Sequence, residues 1–462
     1  MDLKKIFGFI PEVKEPEEKK LGFKTKLKWT LLVLVSFFVL ANIPLFGLTD
    51  NALARFEYLA IILATDFGSI ISLGIGPIVM ASIILQLLSG SGILNIDTST
   101  SEGKKFFQGL QKLLVFLFII FEASVYVLMG GLQAAEGLTF LVIFQLILGG
   151  IVIFYMDELS NKWGFGSGVS LFIGAGIAWR IFTSAFQFIT QQGSNCLLDF
   201  SNTSCPGKIF VLIQSIIGHY SIELVSALGA ILATIAIFLI IVWAQSLKVE
   251  IPLSFGKVRG YNVKWPLSFF YASNIPVIFT AALIATSQLF GGMLENWLGN
   301  PTFIGHFIDN QPVSGLAFWM GSTNLLELTI RGGFMPIYLL QGLTHVLFFV
   351  ILSTVFAIFW VKTSGMDTKS QAHKISSSGL QIAGFRQDER ILESILDRYI
   401  LPLTVMGGIA IGLLASVSDL LGALVSGTAI LLVIGIFFQF YQNIVQQHQV
   451  DMYPAMRKFV GA

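Results

Sequence analysis

The chain is dominated by long apolar runs that are separated by shorter polar segments. Ten of these runs approach or exceed the roughly 18 residues that a helix needs to cross a bilayer core. The predicted spans lie near residues 29–48, 73–89, 110–131, 138–156, 167–186, 220–246, 267–289, 334–361, 399–417 and 424–447. The pattern predicts an all-α integral membrane protein. Because ten is an even number, both termini are expected on one side of the membrane.

Two of the predicted spans carry a proline at the same local position. Pro77 lies in the segment Ile75–Val79 of span two, and Pro276 lies in the segment Asn274–Ile278 of span seven. Each is the second full span of its half. Broken or kinked helices at matching places are typical of inverted-repeat transporters, whose pathway runs between the repeats. The pattern therefore predicts a membrane conduit that runs between two inverted halves of five helices each.

The last span of each half adds a second match between the halves. Residues 167–169 read Ser-Gly-Val and residues 426–428 read Ser-Gly-Thr, and an apolar side chain follows four positions later in each, at Ile173 and Leu432. Small residues at helix contacts are ordinary in membranes. Two matched pairs at the same places nevertheless favour an internal repeat.

Composition and charge agree with a membrane protein and give it an orientation. The chain is 55% hydrophobic and 12% charged with a mean hydropathy of +0.79, whereas soluble domains carry about 25% charged residues. Of the 28 lysines and arginines, 24 fall on the side that holds the termini, and Arg55, Arg180, Lys208 and Arg331 fall on the other. The positive-inside rule assigns the basic side, and with it both termini, to the cytoplasm. The first 28 residues show no cleavable signal peptide.

The spans divide the chain into four segments. Two of the loops that connect spans are unusually long. The segments are a cytoplasmic N-terminal segment 1–28, an N-terminal half 29–200, a C-terminal half 201–447 and a cytoplasmic tail 448–462. The long loops, about 247–266 and 362–398, are basic, and loops of this length usually have a function. They offer cations to an anionic partner such as lipid headgroups, ribosomal RNA or an acidic protein. The alternative is that these charges only hold the topology.

The segment between spans one and two is apolar but too short to cross the membrane. It runs from Arg55 to Asp66, with its apolar stretch from Tyr58 to Ala64. It is either an interfacial helix on the external surface or a short helix folded back into a cavity between the halves. The residues alone favour the interfacial helix.

The external loop after span five holds both cysteines of the chain, Cys196 and Cys205. External loops can be oxidising, so a disulfide is possible here. Two free thiols are an equal alternative. The glycosylation sequon Asn-Thr-Ser at residues 202–204 lies between them, on the side of the membrane where it would be used.

Most enzymatic and ion-coupled chemistry is missing from the sequence. There is no Gly-x4-Gly-Lys-Ser/Thr phosphate loop, and the five histidines show no metal-ligand spacing. We therefore expect no metal and no cofactor. Ion-coupled carriers need ionisable groups near the midplane, and Glu122 is the one clear case here. A membrane-embedded enzyme would need paired polar catalytic groups within the spans, and the sequence offers no convincing pair.

The residues at the two proline positions are aliphatic instead. Ile75, Val79 and Ile278 lie there. An aliphatic constriction dewets and blocks ions when it is empty. Its side chains have no fixed hydrogen-bond requirements, so they can also yield to a passing chain of any sequence. The alternative interpretation of these residues is ordinary core packing.

Several segments resemble the SecY family, the channel subunits of the general protein-conducting translocon. The similar segments are residues 73–88 (LGIGPIVMASIILQLL), 164–170 (GFGSGVS), 273–278 (SNIPVI) and 384–386 (GFR). The resemblance covers essentially the whole chain. The Ser-Asn-Ile-Pro form in span seven is similar to the archaeal and eukaryotic branch, which implies a ribosome as partner.

The resemblance implies a role for four sets of residues. The pore ring would be Ile75, Val79, Val169, Ile173, Ile278 and Leu432. The plug, a short helix that closes the external funnel, would be Arg55, Phe56, Glu57, Tyr58, Leu59, Ala60, Ile61, Ile62, Leu63, Ala64 and Thr65. The lateral gate between spans two and three and spans seven and eight would include Met80, Gln86, Glu122 and Asn274. Partner docking would use Lys257, Arg259, Lys264 and Arg386.

Two gate residues differ from the pattern of the family. Met80 lies where relatives often have threonine, and Glu122 lies where eukaryotic members have glutamine. A buried charge between helices is costly unless it is paired or hydrated. We therefore predict that Glu122 alters how easily the gate opens.

Together with this resemblance, the sequence predicts the channel subunit of a protein translocase in the cell membrane, with an hourglass pore between two inverted five-helix halves. The pore would be passive and not an enzyme. It would conduct secretory polypeptides, bind signal sequences and release transmembrane segments into the membrane lipid. The resemblance implies a heterotrimer with a SecE-type and a small beta or SecG-type single-span subunit, and a docked ribosome with its nascent chain as the driving partner. The competing hypothesis is a secondary transporter for a small solute, which needs a compact polar site at the midplane.

Overall fold

A computed structural model describes the backbone of most of the chain. It covers residues 11–17, 21–51, 53, 60, 64–94, 96, 100–190, 194–198, 205–255, 262–272, 274–308, 311–377, 380–382 and 388–452. The helices in this part are α1 (Phe23–Ala41), α2 (Gly76–Gly90), α3 (Ser101–Leu128), α4 (Thr139–Trp163), α5 (Gly168–Phe186), α6 (Lys208–Gly218), α7 (Ser221–Ser246), α8 (Ile275–Leu298), α9 (Leu316–Met320), α10 (Leu325–Ile330), α11 (Pro336–Thr363), α12 (Thr368–Ser377), α13 (Glu389–Leu420) and α14 (Gly427–Met452).

Ten of these helices coincide with the ten predicted spans. They are α1 to α5, α7, α8, α11, α13 and α14. Eight of them are long and apolar enough to cross a membrane by length and composition. The other two are α1, which carries three lysines in its first two turns, and α2, which has only 15 residues. With five spans in each half, the second half enters the membrane from the side opposite to the first, which gives the inverted arrangement.

The outer faces of these helices are apolar. On α7, for example, Phe238, Leu239 and Trp243 are all exposed. Contiguous exposed apolar surface of this kind is unusual for a protein in water, but on membrane spans it faces lipid tails. The buried faces form one continuous apolar core that runs through both halves.

The paired prolines begin helices α2 and α8 and do not kink them. Pro77 and Pro276 each lie in the first turn of their helix. Proline suits this position, because its missing N–H would have no partner there and its fixed φ is already helical. Residues 71–75 form turns that precede α2. Spans two and seven are therefore helical over less of their length than the hydrophobic pattern indicated.

The two long loops of the C-terminal half fold together into a small sheet, which the sequence analysis did not predict. Strand β3 (Lys248–Phe255) pairs with both β4 (Asn262–Ser268) and β7 (Leu380–Ile382), in antiparallel orientation. Apolar side chains at every second position of β3 indicate a strand, and this signal was present in the sequence. A separate apolar core, which includes Ile251 and Leu396, lies beneath the sheet.

Two further strand pairs lie in short connections. Strand β1 (Leu48–Asn51) pairs with β2 (Leu132–Ala134), and β5 (His306–Ile308) pairs with β6 (Gln311–Ser314).

In the loop after α5, Cys196 and Cys205 form a disulfide with their Cα atoms 5.4 Å apart. The structure thus selects the disulfide over two free thiols. The sequon between them lies outside the described residues.

Candidate pore ring and lateral gate

All six predicted ring residues lie at the beginnings of four helices. Their helices are α2 for Ile75 and Val79, α5 for Val169 and Ile173, α8 for Ile278, and α14 for Leu432. Ile75 is the N-cap of α2, and the others lie within the first two turns of their helices. The ring positions therefore depend on where each helix begins.

The ring residues share one apolar environment. Ile173 and Leu432 are fully buried, Ile278 is 5% exposed, and Val169 is partly buried against the others. Five of the six belong to the main core, and Val169 packs against it. Aliphatic side chains of this size have no hydrogen-bond donors or acceptors, so the arrangement offers no compact polar site to a small solute.

The contacts between the two halves at the predicted gate are also apolar. The ring of Phe121 on α3 lies 6.3 Å from that of Phe290 on α8, edge to face. Gly90 at the end of α2 lies against the ring of Phe359 on α11, since a Cβ at Gly90 would be 2.5 Å from that ring. These contacts were missed in the sequence analysis, because phenylalanine is common throughout the chain and its partners cannot be inferred from spacing.

Glu122 lies inside this region without a partner. It is 2% exposed, and neither carboxyl oxygen has a hydrogen-bond partner among the described residues. Its side chain packs against the first residue of α2, because a Cβ at Gly76 would lie 2.9 Å from Oε2 of Glu122. Gly76 directly follows the predicted ring residue Ile75 in the chain. Glu122 therefore lies close to the ring position at the start of α2.

The other three predicted gate residues do not contact Glu122 through hydrogen bonds. Within the described structure, no hydrogen bond joins any two of the four predicted gate residues. Asn274 is the N-cap of α8 and packs against α14, where a Cβ at Gly435 would be only 1.7 Å from Asn274 Nδ2. Gln86 is buried, and its Oε1 has no partner in the described part of the chain. Met80 packs against the main apolar core. The region of the predicted gate is thus an apolar seam with separate polar groups.

Of the predicted plug, the structure describes only Ala60, Ala64 and Thr65, and the rest of 55–65 lies outside the described residues. Ala60 and Ala64 are buried in the same core as the ring. The hydroxyl of Thr65 donates to the carbonyls of Ile71 at 2.8 Å and Ser72 at 2.7 Å. These contacts join the end of the segment to the turns that precede α2.

The predicted docking residues are mostly outside the described part of the chain. Lys257, Arg259 and Arg386 lie in the undescribed ranges 256–261 and 383–387. Lys264 lies on β4 opposite Pro252 of β3. Because β3 also pairs with β7, both predicted docking loops extend from a single sheet.

Comparison with known proteins places this architecture in a family. The SecY family model matches residues 69–441. The protein translocase subunit SecY of Methanothermobacter thermautotrophicus is 41% identical over 99% of this chain and 98% of its own length.

Solved structures agree. A SecY structure described as showing that the plug domain stabilises the closed state of the translocation channel has a TM-score of 0.83 and 36% identity, with 99% of this chain and 100% of that chain covered. Sec61 in the canine ribosome-channel complex from the endoplasmic reticulum has a TM-score of 0.80, 36% identity and the same coverage. These matches give no support to a small-solute carrier. This chain belongs to the SecY family and is the channel-forming subunit of a protein translocase.

Proposed function

We propose that the six ring residues form an aliphatic seal that closes around a polypeptide while it crosses the membrane. The observation that carries this proposal is their common placement: six aliphatic side chains lie at the starts of four helices, five of them within one core shared by both halves and Val169 packed against it. Empty, such a constriction dewets and resists ions. Occupied, it can adapt to side chains of any chemistry, because no ring residue requires a hydrogen bond.

The segment 55–65 would close the external side of this ring as a plug. The buried positions of Ala60 and Ala64 support an inward-folded helix over an interfacial one. The SecY structure with a plug domain that maintains a membrane seal provides the analogy. In this proposal the plug leaves the core when a chain enters the ring.

The lateral gate would open where α2 and α3 meet α8 and α11. The contact of Phe121 with Phe290 is apolar, so an apolar signal sequence can replace it without leaving polar groups unsatisfied. Glu122 would be the sensitive point of this gate, since a buried carboxylate without a partner is costly. Separation of the helices would give it access to water.

The driving force would come from a partner, and the chain itself would make and break no covalent bond. The related Sec61 was solved in a complex with a ribosome, and two basic loops extend from one sheet here. We therefore assign ribosome docking to Lys257, Arg259, Lys264 and Arg386. Both termini would be cytoplasmic in the cell membrane, and a SecE-type and a small beta or SecG-type subunit would complete a heterotrimer.

A crosslinking experiment tests the ring. A photo-crosslinker is placed at Val79 or Ile278 in the reconstituted complex, with a matched control at Leu347 on α11, which is 59% exposed on the lipid-facing side. A stalled ribosome-bound chain with a signal sequence is then presented. We expect crosslinks to the nascent chain from both ring positions and few from Leu347. Bound ribosomes without crosslinks from either ring position would remove these residues from the pathway.

A further inference from the structure

The start of α5 is fixed by a side chain from the preceding helix. Asp157, near the end of α4, accepts a hydrogen bond from the backbone N–H of Val169 at 2.9 Å, and the N–H of Gly168 contacts the same carboxylate. The hydroxyl of Ser167 donates to it at 3.4 Å. Val169 is itself a predicted ring residue.

The start of α14 is fixed in the same way in the other half. Asp419, in the last turn of α13, accepts a hydrogen bond from the backbone N–H of Thr428 at 2.8 Å. Its second carboxyl oxygen accepts from the hydroxyl of Thr428. The carboxylate of Asp419 is fully buried. The predicted ring residue Leu432 lies one turn further along α14.

The two arrangements match residue by residue at the helix start. Ser167 and Ser426 each accept a hydrogen bond from the backbone N–H three residues later, at 3.5 and 3.3 Å. The next residue in each half is a glycine that lies tightly against the preceding helix. A Cβ at Gly168 would be 2.6 Å from Asp157 Cα, and one at Gly427 would be 2.0 Å from Ser418 Cβ. The residue after each glycine donates its N–H to the aspartate.

The match is hidden in the sequence, because the aspartates lie at different distances from the helix starts. Asp157 precedes Val169 by 12 residues and Asp419 precedes Thr428 by 9. The neighbours of the two carboxylates also differ. Asn161 donates to Asp157 at 3.1 Å, whereas His345 Nε2 lies 3.6 Å from Asp419.

The first N–H groups of a helix have no partner within the helix, and a carboxylate satisfies them and complements the helix dipole. Here each carboxylate comes from a neighbouring helix, so it also fixes where the helix begins relative to that neighbour. Val169 is the second residue of α5, and Ile173 and Leu432 are the sixth residues of α5 and α14. A shift of either helix start would therefore move the side chains of the ring.

We propose that Asp157 and Asp419 are paired positioning residues, related by the internal repeat, that hold the α5 and α14 sides of the pore ring. This inference rests on the proposed function of the ring. Its chemical content is the hydrogen bond that a backbone N–H at the start of each ring helix donates to the carboxylate. The competing outcome of the test is that Asp157 and Asp419 only stabilise the fold and have no effect on the ring.

The test measures ion conductance of the resting, reconstituted complex in planar bilayers. We expect Asp157→Ala and Asp419→Ala each to raise this conductance about fivefold, the change in population that loss of a typical N-cap produces. Asp157→Asn and Asp419→Asn should stay within about twofold of the unsubstituted protein, because asparagine caps helices about as well as aspartate. Ser416→Ala is the matched control, since its hydroxyl is buried on α13 but donates within that helix.

A ring variant separates failure of this inference from failure of the proposed function. Leu432→Ala shortens a ring side chain directly and should raise the conductance. If Leu432→Ala leaks but both aspartate-to-alanine variants behave like Ser416→Ala, or if the asparagine variants leak as much as the alanine variants, the positioning role is wrong. If Leu432→Ala does not leak, the proposed ring itself is wrong. Should an alanine variant fail to assemble, Asp157→Glu and Asp419→Glu displace the carboxylates by one methylene for the same comparison.

Discussion

The two halves of the molecule are alike where they meet at the proposed ring and different on the side that holds the N-terminal segment and the long loops. At the ring, the N-cap residues of α2 and α8 adopt almost the same backbone conformation: φ −88° and ψ −2° at Ile75, and φ −90° and ψ −6° at Asn274. The side chains differ, since Ile75 belongs to the ring and Asn274 packs against Gly435. The repeat has therefore kept the backbone start of these helices while their side chains have diverged.

On the side that holds the N-terminal segment and the long loops, the halves use opposite kinds of interaction. In the first half, Lys112 of α3 bonds to Glu158 of α4 at 2.8 Å and to Glu12 of the N-terminal segment at 2.6 Å. Lys162 lies 3.1 Å from the same oxygen of Glu158. In the second half, the sheet formed by the long loops lies on an apolar core. The comparison teaches that the two halves share the helix starts at the proposed ring and differ in the surfaces that surround it.

The largest effect, a loss of stability, is expected at the contact between Asn274 and Gly435. In Gly435→Ala the new Cβ would lie 1.7 Å from Asn274 Nδ2, so the Asn274 side chain or the helices α8 and α14 must shift. We expect a loss of about 3 kcal/mol of stability, at the upper end for an overpacked site, measured by thermal unfolding of the purified complex. Gly176→Ala on α5 is the matched control, because nothing lies within 4 Å of its Cβ position. Equal stability of the two variants would contradict the packing.

An intermediate effect is expected at the gate, where the first half contributes the buried Glu122. Replacement by glutamine removes a buried ionisable group that has no hydrogen-bond partner among the described residues, so we expect the closed state of the proposed gate to become more stable. We expect the signal-sequence threshold to rise, with transport of weak signal sequences reduced about tenfold, equivalent to about 1.4 kcal/mol. Ser124→Ala on the same helix should change nothing, because its hydroxyl bonds within α3. An unchanged threshold in Glu122→Gln would refute the role of Glu122.

The smallest effect is expected at the ion pairs of Lys112, where the N-terminal segment contacts α3 and α4. Lys112→Met removes the cation between Glu12 and Glu158 and should release the N-terminal segment from α3 and α4, at a cost of about 1 kcal/mol because the site is near water. The readout is the rate of proteolysis at residues 11–17. Lys14→Met is the matched control, since Lys14 pairs with Glu17 at 3.6 Å with both side chains more than 80% exposed. Similar proteolysis rates in both variants would mean that the charge cluster does not hold the segment.

The sequence predicted the parts of this architecture that depend on composition and on local pattern. Ten spans follow from apolar runs, and the location of the ring residues near Pro77 and Pro276 follows from the matched prolines. The same pattern did not distinguish a kinked helix from one that begins at the proline, because the hydrophobic run continues through residues 71–75 either way. The alternation along β3 indicated a strand, but the segment was treated as a loop because of its charge.

What the sequence did not provide is the rotation of each helix and the pairing of distant residues. Glu122 and Asn274 were both predicted at the gate, and their contacts with Gly76 and Gly435 depend on which way each helix faces. The aspartates at the starts of α5 and α14 were not predicted at all, because their different separations from the Ser-Gly pairs conceal the repeat. Two cysteines nine residues apart were compatible with either redox state.

The bond between Cys196 and Cys205 has a practical consequence for following this channel in motion. The chain has two cysteines, and the disulfide uses both. The folded protein therefore presents no reactive thiol, and one cysteine placed on α3 and one on α11 would be the sole targets for a pair of maleimide dyes. Energy transfer between the dyes would then report opening and closing of the proposed gate in single molecules, and neither native cysteine has to be removed for the labelling chemistry.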